Sequence, residues 1–362
     1  MLRVFEAFAG YGSQSIALRN LGIEYEVVAI SEIDKYAIKA YEAIHGSTNN
    51  LGDICKIDPS DIPDHDLFTY SFPCQDLSVA GKQAGLGKGT RSGLLYECKK
   101  IIEAKKPKYL LLENVKNLVG KKFKPEFNKW LEYLEGLGYT NYWQVLNAKN
   151  YGVPQNRERV FVVSILGEHK PYEFPKAMSL DKCIADILEA EVNEKYYINK
   201  PLLTDAQGGM REPKILCEGN INPSGKGMNG NVFNSRGISP TLTTNKGEGP
   251  KILCEGNIYP SRGQNGNIYN ISGISPTINA GIGVKGNGIG SNNAPKILIP
   301  QATYRIRKLT PRECFRLMGM SDDDIDKIQA AGISNTQQYK MVGNSIVVNV
   351  LEAIFKNLFM EG

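Results

Sequence analysis

Cys74 stands between a proline and a glutamine in Ser71-Phe72-Pro73-Cys74-Gln75-Asp76-Leu77-Ser78. The thiol follows a strand-like run, Leu67-Phe68-Thr69-Tyr70-Ser71-Phe72, and precedes small and polar residues that suit neither helix nor strand. A structural cysteine would sit inside an apolar period. This one has the placement of a nucleophile at the mouth of a site, with a loop over 76–92 that can close on it. Glu113 and Asn114 end a second apolar run, and a carboxyl beside a thiol from a neighbouring strand end can donate or accept a proton in a semi-dry site. A helix-capping acid is the plainer reading of Glu113. Arg157 and Arg159 stand two apart at a strand start. Side chains two apart share a strand face, so both are expected to point into one site; two surface arginines are the alternative.

A second constellation lies at the N-terminus. Phe8-Ala9-Gly10-Tyr11-Gly12-Ser13 follows the first strand-like run directly and opens a helical pattern. Glycines there let a cofactor approach the backbone, and a helix N-terminus offers N–H donors. Glu32, at the end of the next strand-like run, stands where a ribose-binding carboxylate belongs, and Asp53 follows the Leu51-Gly52 turn. A tight turn, a cap and a surface acid explain each alone; their order fits a nucleoside-containing cofactor. The chain has no Gly-Lys-Ser/Thr phosphate loop, which argues against a nucleotide triphosphatase.

Such side chains need a scaffold that gathers strand ends. Strands are predicted over 2–8, 25–31, 66–72, 108–113, 141–147 and 159–165, and helices over 14–21, from 32 to about 45, 93–104 and 125–137. Alternation of this kind predicts a parallel α/β sheet with helices on both faces. After about residue 180 Gly and Asn dominate, and helical texture returns over 310–318 and 345–359. Between them lies a repeat: "PKILCEGNINPSGKGMNGNVFNSRGISPTL" begins at Pro213, "PKILCEGNIYPSRGQNGNIYNISGISPTI" at Pro250, and a third "PKIL" at Pro295. The unit is too short for a solenoid repeat and reads as duplicated strand–loop units of a small β-rich domain. The expected division is a discontinuous catalytic domain, 1–185 with 325–362, and a small domain, 186–324, holding the copies at 213–249 and 250–290.

The 362 residues carry a net charge of +5, unevenly placed. From Lys200 to Lys308 there are 13 Lys or Arg against 5 Asp or Glu, in the Gly- and Asn-rich region. A basic, loop-rich segment on a neutral body suggests a polyanion partner. The 7 cysteines show no CxxC pair, and with 3 histidines no metal-ligand spacing arises. No apolar run approaches the ~18 residues of a membrane span. A reduced cytosolic protein without a metal site is expected.

Taken in order, these motifs resemble the DNA (cytosine-5) methyltransferase family, of bacterial or phage type. Its Pro-Cys-Gln stands as Pro73-Cys74-Gln75, its Glu-Asn-Val as Glu113-Asn114-Val115, and its Gln-x-Arg-x-Arg as Gln155 to Arg159. "RKLTPRECFRLMG" and "YKMVGNSIVVNV" resemble its last two motifs, and "FAGYGS" its cofactor loop, with Ser13 where a second glycine is usual. The resemblance implies a Rossmann-like S-adenosylmethionine-dependent sheet plus a smaller target-recognition domain, acting as a monomer on double-stranded DNA in the cytoplasm. It implies that Cys74 adds to carbon 6 of a flipped-out cytosine, that Glu113 hydrogen-bonds ring nitrogen 3, that Arg159 holds the exocyclic oxygen, and that Arg157 braces Glu113 or a phosphate. S-adenosylmethionine is then expected against Phe8, Ala9, Gly10, Gly12, Ser13, Glu32, Ile33, Asp53, Ile54 and Pro73, with Asn344 and Ser345 at its methionine end. Gln75, Ser78, Lys82, Gln83 and Arg91 are expected to contact DNA, and Arg236 and Arg262, one in each copy, to read bases. The copies imply one composite recognition domain or two specificities, the former favoured by their closeness in sequence. A tRNA cytosine-5 methyltransferase on the same scaffold and a catalytically silent DNA-binding protein are the alternatives.

Overall fold

The computed structural model describes residues 1–73, 91–198, 217–220, 231–233, 251–252, 268–270, 275–276, 296–299 and 305–360. The strands of the N-terminal part are β1 (Leu2–Ala7), β2 (Tyr25–Ser31), β3 (Leu67–Tyr70), β4 (Tyr109–Val115), β5 (Tyr139–Asn147), β6 (Gln155–Asn156) and β7 (Glu158–Leu166). Its helices are α1 (Ser13–Asn20), α2 (Lys35–His45), α3 (Leu95–Lys105) and α4 (Lys124–Gly136). Eight short strands follow: β8 (Tyr197–Ile198), β9 (Cys217–Asn220), β10 (Asn231–Phe233), β11 (Lys251–Ile252), β12 (Ile268–Asn270), β13 (Ser275–Pro276), β14 (Lys296–Ile299) and β15 (Arg305–Lys308). Helices α5 (Pro311–Arg316), α6 (Asp322–Ala330), α7 (Asn335–Asn344) and α8 (Val348–Phe359) close the chain.

The main sheet has six strands in the order β2-β1-β3-β4-β7-β5. Strands β1 to β4 run parallel, as the alternation predicts, while β7 is antiparallel to both β4 and β5. The sheet is therefore mixed rather than parallel. β5 and β7 follow each other without a crossover helix, and strands so connected pair antiparallel.

Period-two alternation puts an apolar side chain on each face. Val4, Leu67, Leu111, Phe161 and Val163 pack on one side with α1 and α8. Phe5, Phe68, Leu110, Leu112, Val160 and Val162 pack on the other with α3 and α4. Both faces are covered, so the central strands read as nearly continuous apolar runs. Helices α6 and α7 were not expected, though Ser321 caps α6 ahead of three aspartates in its first turn, a favourable sequence for a helix start. The stretch Asn335–Phe359 is long and apolar enough to cross a membrane by composition, contrary to the sequence reading; most of it is buried inside the fold.

Leu309, Cys314, Phe315, Leu317 and Met318 are fully buried in the cluster that holds α1 and α8. The divide expected at 324/325 thus runs through a packed block, because α5 carries apolar side chains that only the main core covers. Strand β15 pairs antiparallel with β8, so the chain leaves for the repeat region and returns from it side by side.

One polar group sits deep in the main body. Glu6 on β1 has no exposed surface, and the Ser15 hydroxyl donates to its Oε1 at 2.7 Å. Burial lifts its pKa from 4.5 to about 7, the Ser15 hydrogen bond opposing. The folded state therefore holds this proton more tightly than the unfolded chain. Its stabilising effect is complete below the unfolded value and is lost as pH rises from 4.5 to about 7. Glu6→Gln keeps an acceptor for Ser15 without the charge. It is expected to be more stable than the parent at pH 8, by up to roughly 3 kcal/mol, and about equal at pH 4.5. Urea midpoints across this range are the measurement; a variant less stable by the same amount at every pH would contradict the assignment.

Candidate active site

The ends of β3 and β4 are laced together. The Asn114 side chain donates from Nδ2 to the Phe72 carbonyl at 3.1 Å, and its Oδ1 accepts from Val115 N at 2.9 Å. Ser71 hydrogen-bonds the Glu113 carboxyl. The two residues that precede Pro73 are thereby tied to the Glu-Asn pair on the neighbouring strand. Sequence reading gave Ser71 no role and Asn114 none beyond its place in the motif. A polar residue at the end of an apolar strand was the only signal for either.

Glu113 is 8% exposed, and Arg159 Nε lies 3.2 Å from its Oε1. Burial raises the Glu113 pKa above the ordinary carboxylate value; the positive charges of Arg159 and then Arg157, with the Ser71 hydrogen bond, oppose this without cancelling it. A carboxyl in this setting holds a proton at higher pH than a surface glutamate and has a cation beside it to steady the ionised form. Arg159 also donates to the Glu158 carbonyl at 2.8 Å.

Arg157 is placed differently from its neighbour. It is 3% exposed, and its Nη2 donates to the carbonyls of Gly343 at 3.0 Å and Ser345 at 2.7 Å, at the C-terminal end of α7. β6 ends at Asn156 and β7 begins at Glu158, so Arg157 falls between strands and the shared-face argument does not apply to it. Its Nη2 is thereby engaged by the end of α7, and its charge also acts on Glu113. Gln155, fully buried, donates to the Leu317 carbonyl at 2.7 Å. The Gln-x-Arg segment thus binds the C-terminal helices to the sheet.

The loop after β1 turns sharply. Phe8 has φ 57 and Gly10 φ 60, and Gly12 has φ 81. A left-handed phenylalanine is uncommon, and such strain is retained where surrounding structure fixes it. Phe8 N donates to the Ser31 carbonyl at 2.8 Å. Glu32 Oε2 accepts from Gly10 N at 2.9 Å, and its Oε1 from the backbone of Ile33 and Asp34, each at 2.8 Å. Glu32 is in turn fixed by Asn50, whose Oδ1 accepts from Glu32 N at 3.1 Å and whose Nδ2 donates to the Glu32 carbonyl at 3.0 Å. Asn50 was missed in the sequence; its place in an Asn-Asn-Leu-Gly turn was the only hint.

The other expected cofactor residues divide by exposure. Ile33 is 73% exposed beside Glu32, while Ile54 is buried in the core. Asp53 accepts from Cys55 N at 3.1 Å and so caps a short turn. Ala9 and Ser13 are buried, Ala9 accepting from Gly12 N through its carbonyl at 2.9 Å. Asn344 is exposed at the last position of α7, whereas the Ser345 hydroxyl donates to the Met341 carbonyl at 2.7 Å. Arg91 opens a single 3-10 turn ahead of α3. Cys74, Gln75, Ser78, Lys82 and Gln83, with most of the expected closing loop over 76–92, and Arg236 and Arg262, lie outside the described residues.

The two loop glycines serve different ends. A Cβ on Gly12 would fall 2.4 Å from His45 Nε2 and 2.7 Å from Tyr41 Cε2, so its small size admits α2. His45 Nε2 lies 3.1 Å from the Tyr11 carbonyl, and burial lowers this imidazole's pKa to about 4, so at neutral pH it is uncharged and donates. A Cβ on Gly10 would meet nothing within 4 Å. That open space, the exposed Ile33 and the fixed Glu32 carboxylate fit a nucleoside laid across the ends of β1 and β2. Gly12→Ala is expected to lower folding stability by about 2 kcal/mol or more through clash and backbone strain. Gly10→Ala has only the strain, about 1–2 kcal/mol, and its larger effect is expected on cofactor affinity. Denaturation midpoints and calorimetric titration of both variants separate the two; an equal stability loss would refute the distinction.

Comparison with known proteins agrees with this arrangement. A model of the C-5 cytosine-specific DNA methylase family matches residues 2–360. The type II methyltransferase M2.ScrFI of Lactococcus lactis subsp. cremoris is 39% identical, over 99% of this chain and 99% of its own. The orphan methyltransferase M.SPRI of Bacillus phage SPR is 37% identical, over 99% and 97%. Among solved structures, the Entamoeba histolytica methyltransferase EhMeth superposes with a TM-score of 0.68 at 18% identity, over 100% of this chain and 98% of its own. The S. pombe Dnmt2 methyltransferase does so with 0.65 at 19%, over 100% and 99%, and both likenesses bear on the fold. With the family model spanning nearly the whole chain and relatives of matching extent well above 30% identity, the protein is a member of the C-5 cytosine-specific DNA methylase family, an enzyme that methylates cytosine in DNA with a methyl-donor cofactor.

Proposed function

We propose that this enzyme transfers a methyl group from S-adenosylmethionine to carbon 5 of a cytosine turned out of double-stranded DNA, through a covalent adduct with Cys74. The observation that carries the reading is the raised, buried Glu113 carboxyl beside Arg159, laced through Ser71 and Asn114 to the segment that leads into Cys74. When bound, S-adenosylmethionine supplies an electrophilic methyl group. Gly10 would leave room for it, Glu32 would hold its ribose, Ile33 would offer an apolar surface to its adenine, and the exposed Asn344 would take its methionine end.

The chain's own residues do the rest. The thiolate of Cys74 forms a bond to carbon 6, and the displaced electron pair moves into the ring toward carbon 5. Protonated Glu113 donates to ring nitrogen 3 as charge develops there, and Arg159 steadies the carboxylate and the exocyclic oxygen. Carbon 5 would then bond the methyl carbon as that carbon's bond to the donor sulfur breaks, the electron pair staying on sulfur. Loss of the carbon 5 proton to a water molecule then returns the electron pair that expels the Cys74 thiolate, restoring the ring. The target carbon is inaccessible inside a duplex, so the base is extruded first, as enzymes that modify bases do. The basic, Gly- and Asn-rich insertion supports a DNA-binding role, and we read the protein as a cytoplasmic monomer.

Cys74→Ala is expected to abolish methyl transfer and leave duplex binding intact; transfer at the parental rate would remove the covalent mechanism. Glu113→Gln is expected to lower turnover about 10²–10⁴-fold. Because burial raises the Glu113 pKa, its acid form persists to higher pH than that of a surface glutamate, and parental activity should fall as pH rises through that pKa while the Gln variant shows no such limb. Bisulfite sequencing of DNA, alongside methyl incorporation into tRNA, identifies the substrate; methylation confined to tRNA would overturn it.

A further inference from the structure

Three backbone N–H groups aim the carboxylate of Glu32. Its Oε2 accepts from Gly10 N at 2.9 Å, and its Oε1 from Ile33 N and Asp34 N, each at 2.8 Å. Two of the three belong to the segment that enters α2. The placement of that segment therefore decides where the carboxylate points and where it holds the strained loop at Gly10.

Asp34 anchors the segment. It is the N-cap of α2, and its two carboxylate oxygens have separate partners. Oδ1 accepts from Tyr36 N at 2.9 Å, and Oδ2 accepts from Lys340 Nζ at 2.6 Å. Burial works against ionisation of Asp34, but the Lys340 hydrogen bond and the Tyr36 N–H outweigh it, so its pKa lies below the ordinary carboxylate value. Asp34 thus faces Lys340 as an anion at neutral pH. The contact joins residues 306 positions apart, so no local pattern in the sequence marks it.

Lys340 lies on α7. Asn344, four residues on and exposed, shares its face of the helix. Beside Asn344, Arg157 binds the carbonyls of Gly343 and Ser345. Helix α7 is therefore held at two points, by Arg157 to the junction of β6 and β7 and by Lys340 to the segment that carries Glu32. A path of bonds runs from α7 to the loop after β1: Lys340 Nζ to Asp34 Oδ2, Asp34 N to Glu32 Oε1, and Gly10 N to Glu32 Oε2.

Resting on the methyltransferase reading above, we propose that Lys340 and Asp34 are a positioning pair for cofactor binding, which sets the Glu32 carboxylate from α7 and, through it, the loop at Gly10. The pair acts through Glu32 rather than on the reacting atoms. It holds the wall that bears Glu32 and Ile33 against the wall that bears Asn344, so both ends of one ligand meet surfaces already in place. Preorganisation of this kind is expressed as affinity.

Variants of the full chain test this. Lys340→Met removes the cation and keeps most of the stem. Asp34→Asn removes the charge yet keeps an Oδ1 acceptor for the α2 cap. The double variant removes both partners, and Lys340→Arg keeps the pair. Without cofactor, amide exchange should be faster at Gly10, Ile33 and Asp34 in Lys340→Met and parental in Lys340→Arg. Calorimetric titration with S-adenosylmethionine should show affinity lower by about two- to fivefold in Lys340→Met and in Asp34→Asn, the range of a half-exposed ion pair. The double variant should lose no more than either single one. The gap from the parent should close in about 1 M salt, where the screening length is about 3 Å. Parental exchange at these amides in Lys340→Met overturns the positioning, as does parental affinity in both single variants. Losses that add in the double variant overturn the pairing. A parent that binds no S-adenosylmethionine refutes the cofactor reading instead, and the exchange rates still decide whether the pair sets Glu32.

Discussion

A guanidinium with almost no solvent access holds this enzyme's parts in register. Arg157 closes off the carbonyls at the end of α7 through Gly343 and Ser345. Helix C-termini carry partial negative charge, so a cation is favoured there. Its own charge is felt by Glu113 across the strand ends. A buried charge without such partners would be strongly unfavourable, so sheet, C-terminal helices and carboxyl are placed together or not at all. Gln155, two residues earlier, makes the parallel tie to the Leu317 carbonyl.

From that constraint the site assembles in two halves on the same sheet edge. On one side the loop after β1 is held in strained backbone by Glu32 and Asn50, with open space at Gly10. On the other, Ser71 and Asn114 tie the end of β3 to β4 beside Glu113. Parallel strands deliver both halves at their C-terminal ends, where ligands of open α/β sheets bind.

The insertion's two ends pair with each other through β8 and β15, and one Ser-Pro segment pairs with β6. The strand that receives that segment also carries Gln155, so one stretch of backbone ties both the insertion and the C-terminal helices to the main sheet's body.

Glu113 and the glycine-bearing loop stood out in the sequence because each follows an apolar strand run, and period-two alternation on β1, β3, β4 and β7 marked both covered faces of the sheet. The motif order also fixed the family. Direction and partnership were not legible. That β7 runs antiparallel, that α5 packs in the main core rather than the small domain, and that Arg157 turns to carbonyls while Arg159 turns to Glu113 all depend on residues far apart in the sequence or on a break between two strands. Local pattern records which side chains must be covered; it carries no record of what covers them. Gly12 shows the difference within one motif. Its spacing reads as a cofactor turn, and only the packed structure reveals that the missing side chain makes way for Tyr41 and His45.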